Sequence, residues 1–80
     1  MKLSKQVIDK MVELTRKSKY DGNEIGFLLC EGKEEIIPSE GYVVGTHDEI
    51  DQDALFSLKC PKNTDAVGYF HTHPNSSQGA

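Results

Sequence analysis

Two histidines, His71 and His73, sit in the stretch Val67-Gly68-Tyr69-Phe70-His71-Thr72-His73-Pro74, close to the end of an 80-residue chain. Imidazole is the side chain most often found on a metal, and the one whose charge changes near neutral pH. On an extended strand successive side chains alternate faces, so Val67, Tyr69, His71 and His73 share one side and both imidazoles converge on one point. Pro74 has no N–H for a strand ladder and makes a natural stop where the histidines need open space. The pair reads as half of a metal site, with the rest of the chemistry supplied from elsewhere. The candidate partner is Glu24, an acid that opens the apolar run Ile25-Gly26-Phe27-Leu28-Leu29-Cys30.

Other reactive residues have plainer readings. His47, beside Asp48 and Glu49, falls in an acidic segment without a clear period and reads as part of a solvated loop. Arg16, Lys17 and Lys19 lie where a helix would end, and positive charge there complements the helix dipole. Cys30 and Cys60 are too far apart for a C-x-x-C knuckle and too few for a disulfide framework. They read as two free thiols, with Cys30 buried because it closes an apolar run.

The elements that must position these residues follow from local pattern. Ser4 suits an N-cap, and Val7, Met11 and Leu14, with Ile8 and Val12 alongside, recur at spacings of three and four, predicting a helix over 4–18 with one buried stripe. Tyr20-Asp21-Gly22-Asn23 is the turn that ends it. The run from Ile25 to Cys30 predicts a central strand buried on both faces. Glu35-Ile36-Ile37 and Tyr42-Val43-Val44, separated by Pro38-Ser39-Glu40-Gly41, predict short edge strands. Residues 54–60 fit either a strand or a helical turn, and Pro61 to Asp65 form a turn into a strand over 66–73.

Composition narrows the function. The chain is a single small domain, ordinary for a soluble globular protein at 36% hydrophobic and 28% charged residues. Thirteen acids outnumber nine basic residues, giving a net charge of -4 and a pI near 5.2, which argues against nucleic acid as a partner. No apolar run approaches a membrane span, and Met1-Lys2-Leu3-Ser4 lacks the apolar core of a secretory signal, so the expectation is a cytoplasmic protein with no membrane partner.

Asn23-Glu24-Ile25-Gly26-Phe27-Leu28-Leu29, followed by Val67-Gly68-Tyr69-Phe70-His71-Thr72-His73-Pro74, resembles two parts of the JAMM motif of MPN-domain metalloproteases. The helix, the Glu-bearing strand and the His-x-His-Pro strand occur in that order in such domains, so the likeness runs through nearly the whole chain. It implies an α/β, cytidine-deaminase-like fold with the N-terminal helix packed on a mixed sheet whose inner strands include 24–30 and 66–73. It also implies a zinc-dependent hydrolase of peptide or isopeptide bonds whose partner is a protein substrate, in many members a ubiquitin-like conjugate. His71 and His73 would be zinc ligands, and Glu24 the general base and acid that handles the proton of the attacking water. Thr72, Asn75, Ser76 and Ser77 would shape the loop.

The family's motif continues past the second histidine to a serine and then to an aspartate that is the third zinc ligand. Counted from His73, the chain stops at Ala80, one residue before that serine. The expectation is therefore the N-terminal portion of an MPN domain over 1–80, inactive alone and a weak zinc binder without a third ligand. Its His-bearing strand would be an open edge able to pair with a second copy as a homodimer. Rival readings are a hydrolase acting on the C-terminus of a sulfur-carrier protein and a non-catalytic MPN scaffold. The presence of Glu24 and both histidines counts against the scaffold.

Overall fold

The computed structural model describes residues 1–74, and Asn75, Ser76 and Ser77 lie outside the described residues. Strand β1 (Lys2–Leu3) leads directly into helix α1 (Lys5–Asp21). Ser4 caps the helix, its side chain accepting from the Val7 N–H at 3.2 Å. Gly22 ends it in the left-handed conformation at φ 76°, donating its N–H to Ser18 O at 2.8 Å. The helix runs past the expected Ser18 because only Gly22 adopts the left-handed turn without steric cost. Val7, Leu14 and Ser18 form the buried stripe with Met11 packed beside them, whereas Ile8 and Val12 are exposed at 49% and 46%.

The rest of the fold is arranged around β2 (Ile25–Glu31). One edge of β2 pairs antiparallel with β3 (Glu35–Pro38) towards its C-terminus and with β4 (Val43–Val44) towards its N-terminus. The other edge pairs antiparallel with β5 (Asp65–His71) along its length. Because β1 pairs parallel to β3, the sheet is mixed and β3 is an inner strand, not the edge its proline predicts. Pro38 is the last residue of β3, and Ser39 closes the ladder after it. The Ser39 N–H donates to Leu28 O, and the Ser39 hydroxyl accepts from the Leu28 N–H, both at 2.9 Å. Lys10 secures the same loop by donating to Ser39 O and Gly41 O at 2.9 and 2.8 Å. Among the described residues β5 pairs only with β2, so it is an edge strand and not an inner one.

The apolar run of β2 is explained by cover on both faces. On one side Ile25 and Phe27 pack with Leu14 of α1, joined by Met11, Leu29 and Phe70. On the other, Leu28 and Cys30 pack with Leu55 of α2 (Gln52–Phe56). Residues 54–56 are thus helical, and the decisive signal is Asp51, whose carboxylate accepts from the Asp53 and Ala54 N–H groups.

The cysteines are not free thiols: Cys30 and Cys60 form a disulfide with Cα atoms 5.8 Å apart. Cys30 points to the α2 side of the sheet, and the segment after α2 returns Cys60 beneath the same cluster. Distance along the chain carries no information about that juxtaposition. No helix among the described residues is long and apolar enough to cross a membrane.

Candidate active site

Glu24 immediately precedes β2, and its main chain is held on one flank by the loop after β4. The Glu24 N–H donates to Thr46 O at 2.8 Å, and Glu24 O accepts from the Gly45 N–H at 2.7 Å. Two-residue periodicity puts Glu24, Gly26 and Leu28 on the α2 side of the sheet. Across the ladder Gly26 faces His71 and Leu28 faces Tyr69, so these side chains share that side. Gly26 gives room to the chain packed across it. A Cβ would come within 2.9 Å of Ile50 Cδ1, 3.0 Å of Phe70 O and 3.3 Å of His71 Cβ.

The three residues singled out by the motif meet. Glu24 Oε1 lies 3.6 Å from His71 Nδ1, and Glu24 Oε2 lies 3.6 Å from His73 Nδ1. The two rings stand edge to face with centroids 4.5 Å apart. They converge by a different route from the one their spacing predicts. Strand β5 ends at His71, and Thr72 and His73 lie beyond the ladder, so His73 reaches the site from the turn towards Pro74. Val67 falls at the register shift between Leu29 and Cys30, so the expected four-residue row reduces to Tyr69 and His71 within the strand. Phe56, Tyr69, His71 and His73 continue as a row of edge-to-face rings, with centroid spacings of 5.8, 5.4 and 4.5 Å.

Burial sets the chemistry. The Glu24 side chain keeps 6% of its surface, against 30% for His71 and 43% for His73. A carboxylate this enclosed requires a positive or hydrogen-bonding partner, and its two oxygens each face one imidazole. At 3.6 Å these are charge contacts and not hydrogen bonds, attractive when a ring is protonated. His71 Nδ1 is buried and has no hydrogen-bond partner. A buried acid with a separate, more exposed imidazole at each oxygen can take up a proton on one side and release it on the other.

Two further buried residues back this arrangement from the α1 side of the sheet: Ser18, which lies outside the motif, and Thr72, which the motif marks only as shaping the loop. Thr72, between the histidines, is 2% exposed, and its N–H donates to Ile25 O at 3.0 Å. Its hydroxyl accepts from the Ile25 N–H at 2.9 Å and lies 2.6 Å from the hydroxyl of Ser18, which is 1% exposed. The available signal for Ser18 is a polar residue continuing the apolar stripe of α1. His47 is not drawn into the site. Its side chain is 69% exposed, with Nε2 3.8 Å from Asp48 Oδ2. Lys17 forms an ion pair with Asp21 at 3.1 Å near the end of α1, and Lys19 occupies the last helical turn, as the helix-dipole reading expects.

Among the described residues no group of three or more His, Cys, Asp or Glu side chains is arranged to hold a metal ion. Compared with family models, with curated proteins and with solved structures, the chain matches none.

Proposed function

We propose that this chain carries the acid-base glutamate and two zinc ligands of a JAMM-type metallopeptidase of the MPN family, which cleaves peptide or isopeptide bonds in a protein substrate. Ubiquitin-like conjugates are the substrate class to test first. The observation that supports it is the buried Glu24 carboxylate directed at Nδ1 of both His71 and His73, at 3.6 Å each, on one face of the sheet.

The donor set suits zinc. Two imidazoles are common ligands of catalytic zinc, and the buried Nδ1 of His71, without a hydrogen-bond partner, faces the carboxylate. His71 and His73 would be the residues to hold the metal, with Glu24 beside both rings. When bound, zinc polarises a substrate carbonyl and makes water a stronger acid. Glu24 takes the proton of the attacking water on a carboxylate oxygen and delivers it to the departing amine. Its burial keeps competing solvent from that proton, and the backbone contacts from Gly45 and Thr46 hold the residue in place. A catalytic zinc takes three protein ligands, and His71 and His73 supply two of them.

The test is metal analysis and hydrolysis of a ubiquitin-like isopeptide, with the 80-residue chain and with a version extended past Ala80. His71→Ala or His73→Ala should abolish zinc binding. Glu24→Gln should retain zinc and lose activity by about 10²- to 10⁴-fold, the usual worth of a general acid-base group. Full activity in Glu24→Gln, or zinc retained without either histidine, overturns the assignment.

A further inference from the structure

We infer that Thr72 is a positioning residue, which sets the separation between Glu24 and the two histidines through a directed chain of hydroxyl hydrogen bonds running to Ser18. The inference rests on reading Glu24, His71 and His73 as one site.

The direction of every proton in the chain follows from donor counts. The Ser18 hydroxyl has one proton, and it goes to Asn23 O, an acceptor only, at 2.6 Å. The 2.6 Å contact between Ser18 Oγ and Thr72 Oγ1 therefore takes its proton from Thr72. With its own proton committed, Thr72 Oγ1 accepts from the Ile25 N–H at 2.9 Å. The sequence of donors is Ile25 N–H, Thr72 O–H and Ser18 O–H, ending on Asn23 O. Each hydroxyl gives one bond and receives one.

What the chain joins gives it a role. Asn23 and Ile25 are the residues on either side of Glu24, so the carbonyl before the acid and the amide after it are held by the same two hydroxyls. Thr72 is the residue between His71 and His73, and its own N–H returns to Ile25 O at 3.0 Å. β5 ends at His71, so past that point the ladder no longer fixes the chain and the bonds of Thr72 take over. Both hydroxyls are almost fully buried, and solvent does not replace a lost partner there. Serine preserves the chain. Valine fills the same volume, leaves the Ile25 N–H without an acceptor and removes the donor to Ser18.

The test compares wild type with Thr72→Ser, Thr72→Val and Ser18→Ala, each checked by denaturation so that binding is read on folded protein. Zinc ion affinity is measured by competition with a chromophoric chelator. NMR independently reports Overhauser contacts between the His71 and His73 rings and the Glu24 side chain. Thr72→Ser should stay within about twofold of wild type. Thr72→Val should bind zinc about 10- to 100-fold more weakly, the usual cost of losing an outer partner of a metal site, and should lose the Glu24–His73 contacts. If Thr72→Val is less stable but keeps both wild-type zinc affinity and the Overhauser pattern, Thr72 only fills space and the inference falls. If wild type binds no zinc, the metal reading fails separately. Thr72 is then judged on the contacts alone: their loss in valine and return in serine sustain its role, and their survival in valine ends it.

Discussion

Reducing the Cys30–Cys60 disulfide should remove a large part of the stability of this domain. The bridge spans a sequence separation of 30. On the chain-entropy relation, a closed loop of about 31 residues restricts the unfolded chain by about 12 cal/mol/K, or about 3.7 kcal/mol at 25 °C. A domain of this length is stable by about 4–12 kcal/mol in total, so the bridge accounts for a third or more of the margin. With a guanidinium slope of about 2.5 kcal/mol/M, the unfolding midpoint should fall by about 1.5 M. The assay is guanidinium unfolding with and without reductant, with a thiol titration confirming two free cysteines per chain. Reduced wild type is the right comparison. Cys30 is fully buried against Leu28 and Leu55, and replacing it with alanine would add a packing loss of about 1 kcal/mol to the covalent effect. A reduced protein with an unchanged midpoint would refute the pairing, or else show that the denatured chain is already confined without it.

Two other outcomes follow from the sheet. Gly26→Ala places a methyl group within 2.9 Å of Ile50 Cδ1 and 3.0 Å of the Phe70 carbonyl, and should cost about 1–3 kcal/mol in denaturation while shifting the NMR signals of His71. A variant as stable as wild type with unmoved His71 signals contradicts that packing. Along β5 no residue from Ala66 to Phe70 carries a charge, and Val67 and Tyr69 are exposed at 54% and 44%. Pairing of a second copy there gives a dimer in sedimentation equilibrium at high micromolar concentration, and Val67→Lys returns it to a monomer. A monomeric wild type at that concentration removes the edge as an interface.

The features legible in the sequence are those set by local pattern. Ser4 and Gly22 bracket α1 because a cap and a left-handed turn are properties of single residues, and the unbroken run from Ile25 to Cys30 marks a strand covered on both faces. Features that depend on register are not written locally. Pro38 suggests an edge, yet β1 lies outside β3 and Ser39 completes the ladder that the proline leaves open. Cys30 and Cys60 meet only once α2 is folded over the sheet. The histidines were legible as a convergent pair, since alternation brings His71 to the face of Glu24. The path of His73 was not, because it depends on where β5 stops. That stopping point is governed by Thr72, whose hydroxyl takes the Ile25 N–H at the end of the pairing. Its partner carries a mark that can be read in advance. Ser18 follows Leu14 by four on a buried stripe, and a hydroxyl in that position must find a buried partner across the fold. Of the buried groups that could answer it, Thr72 is the one that also stands between two imidazoles, so the core polar pair and the reactive cluster are one construction seen from opposite faces of the sheet.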